Sequence, residues 1–97
     1  MKLEFEWHKA KAKDNFRRHG VSFDLAKTVF QDPFAIDRID DRLDDREEHS
    51  EDRFVTIGMA EGKVLLFVAT EREERIRIIS ARRATQYEQD DYFQQNA

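Results

Sequence analysis

An α+β fold, a small antiparallel sheet with helices packed on one of its faces, is what this 97-residue sequence predicts. Three observations predict it. Segments alternating apolar and polar residues occur once at the start and three or four times after residue 33, with the period of half-buried strands. Between them, residues 8–30 carry apolar positions at helical spacing. A capping box near the end starts one more helix. At this length a single domain over residues 1–97 is expected.

The elements follow in order. Leu3-Glu4-Phe5-Glu6-Trp7 alternates, so Leu3, Phe5 and Trp7 point inward from a first strand. A polar helix over residues 8–19 has Ala12 and Phe16 as its weak apolar side, and Gly20 suits the left-handed position that ends it. Ser22 caps a second helix that buries Leu25, Ala26, Val29 and Phe30. Asp32-Pro33 stops it, because the residue before proline is pushed out of the α region. Residues 34–40 alternate loosely as a possible strand, and the charged residues 41–52 read as a solvated loop or the tip of a long hairpin. Three clearer strands are 53–58, 63–70 and 75–81; the middle one is apolar on both faces and therefore central. Thr85 and Glu88 form the capping box of a helix over 86–93.

Composition narrows the function. Hydrophobic and charged residues each make up 39% of the chain, the latter against a typical ~25%, but eight Phe and one Trp supply enough apolar area for a core. The absence of Cys excludes disulfides, thiolate metal sites and a cysteine nucleophile. No apolar run approaches the ~18 residues of a membrane span and the start lacks a signal-peptide core, so a cytoplasmic protein with no membrane partner is expected. The net charge of −4 conceals a pattern. Residues 2–19 and 63–83 each carry six bases against three acids, whereas residues 37–53 carry nine acids against four Arg.

No metal site and no cofactor are expected. His8, His19 and His49 share no ligand spacing, no Ser–His–Asp arrangement is visible, and the three Gly are too dispersed for a phosphate loop. What remains is a set of arginines. Arg53 opens one strand, Arg72 lies in the turn after the central strand, Arg75 and Arg77 share a face of the last strand, and Arg82 and Arg83 follow it. If helices cover Ile76 and Ile78, Arg77 points to the uncovered face, where a guanidinium fork matches phosphate oxygens. The competing role is pairing with Glu71, Glu73, Glu74 and the acidic stretch. Trp7 and Phe16 read as core. His19, at a helix C-terminus, suits either dipole capping or acid–base work, and the capping box accounts for Glu88.

These residues together resemble the BrnT family, the toxin half of BrnT–BrnA type II toxin–antitoxin modules, over nearly the whole chain. The resemblance is carried by Phe5-Glu6-Trp7-His8, Lys11, Asn15, His19-Gly20-Val21, Phe23, Ala26, Phe30 and Asp32-Pro33, then by Glu51-Asp52-Arg53-Phe54, Thr56-Ile57-Gly58 and Thr70. Its most specific part is Arg77-Ile78-Ile79-Ser80-Ala81-Arg82-Arg83-Ala84, with Glu88 and Tyr92 closing it. His8 departs from the family, which usually has Asp there. The resemblance implies a RelE-like fold and a metal-independent endoribonuclease that cuts RNA and inhibits growth. It also implies a BrnA-like ribbon-helix-helix antitoxin that silences the toxin, the complex reaching operator DNA through the antitoxin.

RNA cleavage without a metal requires deprotonation of the 2′-oxygen, stabilisation of the phosphorane and protonation of the 5′-oxygen. Arginine stabilises charge but is a poor proton carrier. The catalytic candidates are therefore Arg53, Arg77 and Arg82 for charge and His19 and Lys11 for protons, with Tyr87 a further proton carrier; Arg72, Arg75 and Arg83 are candidates for RNA binding. The alternative is a non-catalytic RelE-fold module that acts by binding a protein target, or only within a DNA-binding antitoxin complex. It gains if His19 and Lys11 lie away from the arginine face. The acidic residues 40–52 are expected to meet a basic antitoxin segment.

Overall fold

The computed structural model describes residues 4–39 and 53–97; the acidic residues 40–52, the expected loop or hairpin tip, and Leu3 lie outside them. The element order is β1 (Glu4–Glu6), α1 (Lys9–His19), α2 (Phe23–Lys27) running into a 3₁₀ turn (Thr28–Gln31), β2 (Ile36–Ile39), β3 (Arg53–Ala60), β4 (Lys63–Arg72), β5 (Arg75–Arg83) and α3 (Gln86–Gln95). The α+β class is as expected. Local chemistry sets the helix ends: Gly20, at φ 70°, returns its N–H to Phe16 O, and Ser22 Oγ accepts from the Leu25 amide.

The strands form one five-stranded sheet in the order β1-β5-β4-β3-β2, with β4 central as predicted. The expectation of an antiparallel sheet needs correction: β1 pairs parallel to β5, so the sheet is mixed. Alternation encodes which side chains face inward, but not which edge a strand joins or in which direction. Two tight turns hold the central meander, Glu61-Gly62 and Glu73-Glu74, each with positive φ at both residues. This is the hairpin turn whose twist matches the strands, here adopted at Glu73 and Glu74 without the help of glycine.

Helices lie on both sheet faces, not one. On the first face Leu65, Phe67 and Ala69 of β4 join Ile76, Ile78 and Ala81 of β5 beneath Val21, Phe23, Ala26 and Val29. On the second, Val64 and Leu66 join Val55, Ile57, Ala84 and Tyr92 of α3. The weak apolar stripe of α3 gave no indication that Tyr92, which is buried, would anchor it there. Gly58 faces the first cluster so tightly that a Cβ would stand 2.5 Å from Val29 Cγ1. Trp7 is half-buried against Phe23 at 5.9 Å between ring centroids, but Phe16 is not core: it is 55% exposed, because α1 turns Ala12 and Asn15 to the sheet instead.

A candidate RNA-binding face

The second face of the sheet becomes a site through one irregularity. Val68 pairs with Ser80 and Ala69 with Ile78, leaving Ile79 as an extra residue in β5. Arg77 and Arg82 are five apart, so strict alternation would put them on opposite faces. The bulge brings them to the same one. Arg82 and Arg83 lie within β5 and Arg72 closes β4, so neither the end of the strand at residue 81 nor the placing of Arg72 in a turn holds.

Three cross-strand rows then run over the second face. The first is Glu6, Arg77, Thr70 and Arg53, on β1, β5, β4 and β3. The second is Ser80, Val68, Val55 and Arg38; the third is Arg82, Leu66, Ile57 and Ile36. α3 covers the third row with Tyr92. Neighbouring strands are ~4.8 Å apart, so Arg77 and Arg53 stand roughly 10 Å from each other across Thr70. Arg75 and Arg72 share this face by parity at its exposed end, whereas Arg83, paired with Leu65, belongs to the opposite one.

The cations are held by carboxylates other than those expected. Arg82 forms a fork to Glu88, with Nη1 to Oε1 at 2.8 Å and Nη2 to Oε2 at 2.9 Å. That fork, together with the Thr85 amide, holds the Glu88 carboxyl at about 2 despite the opposing cost of burial, and raises Arg82 further. The predicted capping box is present, and Glu88 serves both it and Arg82. Arg77 Nη1 donates to Glu6 Oε2 at 3.0 Å and Arg75 lies 3.5 Å from Glu6 Oε1, so Glu6 is held below the usual carboxylate range, chiefly by Arg77. Arg38 reaches Asp91 of α3.

A second polar centre docks α3. Tyr92 Oη donates to Asp32 Oδ2 at 2.6 Å, the Met59 amide donates to the same oxygen at 2.8 Å, and the Phe34 amide donates to Oδ1 at 2.9 Å. Burial opposes ionisation of Asp32, but these three donors outweigh it and lower its pKa. Burial and the Asp32 carboxylate push the Tyr92 hydroxyl up to about 12.

Arg53, Arg77 and Arg82 thus share one face; Lys11 and His19 do not join them. Both are exposed on α1, which rests on the first cluster through Ala12 and on the β5 edge through Asn15. Asn15 donates to Ala81 O at 2.8 Å and Val21 O at 3.1 Å and accepts from the Ala81 amide, filling the β5 edge beyond β1. Tyr87 is 79% exposed on α3, the helix flanking the arginine face. Glu6 was legible in the sequence only as the outward residue of a strand, and Arg38 only as part of the charge count. Among the described residues, no three His, Cys, Asp or Glu gather as metal ligands, and no helix is long and apolar enough to cross a membrane.

No curated protein matches the chain. A family model described as the ribonuclease toxin BrnT of type II toxin–antitoxin systems matches residues 7–88, a span that includes the bulged strand and all the arginines of the face. With most of its length matched, the chain belongs to the BrnT family of ribonuclease toxins.

Proposed function

We propose that this toxin is a RelE-like, metal-independent endoribonuclease that binds and cuts RNA on the second face of its sheet. The observation that carries the reading is the bulge at Ile79, which gathers Arg77 and Arg82 with Arg53 on one surface. Guanidinium forks there meet phosphate oxygens in pairs and stabilise the dianionic phosphorane formed when the 2′-oxygen attacks phosphorus. The 2′-proton leaves to a base, and the 5′-oxygen takes a proton as its bond to phosphorus breaks. Arg72 and Arg75 extend the phosphate track along the exposed end of the face, while Arg83 meets RNA only where a strand passes round the sheet edge.

In this reading Tyr87, beside the face, moves a proton, whereas His19 and Lys11 stand on α1 against the other side of the sheet, away from a phosphate held by the arginines. Their distance in the fold from the arginine rows is the specific observation that favours the second reading, a module that binds without cutting. Incubating the purified protein with total RNA, with and without EDTA, separates these. Equal cleavage in both is expected. Cleavage abolished by EDTA overturns metal independence, and intact RNA in both overturns catalysis.

As a type II toxin the chain acts on RNA and pairs with an antitoxin. We further propose that the antitoxin is a BrnA-like ribbon-helix-helix protein, that it brings the complex to operator DNA, and that its basic segment is steered by the acidic residues 40–52. Association should then slow as salt rises, since exposed charges are screened beyond ~8–10 Å near physiological ionic strength. A salt-independent association rate overturns the steering.

A further inference from the structure

Phe16 is the large exposed hydrophobic of α1, and it stands between two open grooves. One, of about 690 Å³, runs between α1 and the start of α2 with Trp7 and Phe23 at its floor and Lys9 and Lys13 at its rim. The other, of about 640 Å³, follows Ala10, Lys13 and Arg17 along the helix. Lys13 and Phe16 line both. Asp14 is already engaged by Arg17 at 2.8 Å and Arg18 at 3.2 Å, and Asp24 by Lys27 at 3.6 Å. Lys9 and Lys13 pair with no carboxylate among the described residues. An open aromatic ring is therefore flanked by two uncompensated ammonium groups.

We propose that this surface of α1 is a second RNA contact, where an unpaired base stacks on Phe16 and the adjoining phosphates lie against Lys9 and Lys13. The proposal rests on the reading of the protein as one that engages RNA. Aromatic platforms beside basic grooves hold single strands irrespective of sequence, since every base offers a π-face. A protein partner fits this surface less well, because the centres of protein interfaces are depleted in lysine, whereas here Lys13 sits beside the ring in both grooves. α1 packs on the first sheet face and the arginine rows lie on the second. One strand reaches both only by passing round the edge of the sheet, so long RNA engages the two surfaces together and a dinucleotide only one of them.

Trp7 is the single tryptophan of the chain and lines the groove, which makes it a built-in reporter. The probe is a single-stranded, fully 2′-O-methylated RNA of about ten nucleotides, within the ~4–16 that a small module covers. It lacks the 2′-hydroxyl nucleophile and stays intact. Saturable quenching of Trp7 is expected, weakened roughly ten- to a hundredfold in Phe16→Ala at an unchanged thermal midpoint. Lys13→Gln should lower the slope of log affinity against log salt by about 0.7, the loss of one phosphate contact. Equal affinity in Phe16→Ala, or quenching by an oligoglutamate peptide but not by RNA, overturns the proposal. A protein that cuts RNA while Trp7 does not respond loses the platform and keeps the ribonuclease reading. One that responds but cuts nothing does the reverse.

Discussion

On its first face β4 presents Leu65, Phe67 and Ala69, each with no solvent exposure, to a layer of helix-borne apolar side chains. On its second face the same strand presents Leu66 to Tyr92 but Thr70 to the row between Arg77 and Arg53. The first face is closed mainly by apolar contact, with hydrogen bonds of Asn15 at the β5 edge and of Thr56 to Asp37 at its margin. The second is closed only in part, and Arg77, Arg82 and Arg38 at its rim are each held by a carboxylate, as is the Tyr92 hydroxyl. Apolar packing on one side thus frees the other to hold cations in fixed register. Within that second face the same contrast recurs at the two ends of β5. Arg82 is locked bidentately beneath α3, whereas Arg77 shares Glu6 with Arg75 and keeps a third of its side chain exposed. A phosphate can compete for the second arrangement more readily than for the first.

The sharpest break of this contrast is Arg77→Ala. RNA cleavage should fall about a hundredfold or more, since one transition-state donor is worth on the order of 3 kcal/mol. The thermal midpoint should move little, because a single ion pair that stays partly open to solvent contributes about 1 kcal/mol or less. Arg77→Lys should also be impaired, as a point charge does not replace the fork. An Arg77→Ala protein that melts early yet cleaves normally would make Arg77 a structural partner of Glu6 and nothing more.

Gly58→Ala tests the other face. The added methyl would meet Val29 Cγ1 at 2.5 Å and Ala35 Cβ at 3.0 Å, both in a packed layer with no flexible end to move. Overpacking of this kind costs ~1–3 kcal/mol, or a fall in midpoint of about 10 °C for a domain this small. Activity per folded molecule should survive, because the arginine rows project from the opposite side. Calorimetry with an RNase assay on the same sample checks both halves.

Acid separates the two ends of β5. Glu88 titrates at about 2 in the folded chain and near 4.5 when unfolded, so its contribution is fully present above pH 4.5 and is lost as pH falls through 2. The loss should be on the order of 2 kcal/mol, allowing for its remaining exposure. Asp32 and Glu6, both lowered, slope the same way. Glu88→Gln should be less stable at neutral pH and show a flatter stability curve between pH 4.5 and 2. A variant that keeps the full wild-type slope would remove Glu88 from the account.

Most of the fold was legible because most of it is local. The cap at Ser22, the left-handed Gly20, the capping box of Thr85 and Glu88, and the doubly apolar β4 are all consequences of residues within a few positions of one another. What the sequence concealed is non-local. Which edge β1 joins depends on the folded meander, and the second-face position of α3 depends on Tyr92 meeting Asp32 sixty residues away. The parity of Arg77 was readable from Ile76 and Ile78, but that of Arg82 was not, because a bulge leaves no mark in the alternation of Ile78-Ile79-Ser80. Charge blocks suggested partners for the arginines among the nearest acids in sequence; the sheet instead supplied Glu6 from another strand and Glu88 from a helix.

The smallest effect concerns the clamp that keeps α3 on the second face. Tyr92→Phe removes one of three donors to the Asp32 carboxylate while the amides of Met59 and Phe34 remain, so the neutral-pH cost should be about 1 kcal/mol. The alkaline limb is more diagnostic. The Tyr92 hydroxyl titrates at about 12 when folded and near 10 when unfolded. A group raised by folding contributes stability that is complete below its unfolded value and disappears as pH climbs through the folded one. Wild-type stability should therefore hold up to about pH 10 and decline towards 12 through this group, and the variant should lack that part of the decline. Denaturant midpoints measured from pH 9 to 12 on both proteins decide it. If the two curves run parallel, Tyr92 is held by its ring alone, and the contrast between a face closed by apolar contact and one closed by charge loses its hydrogen-bonded corner.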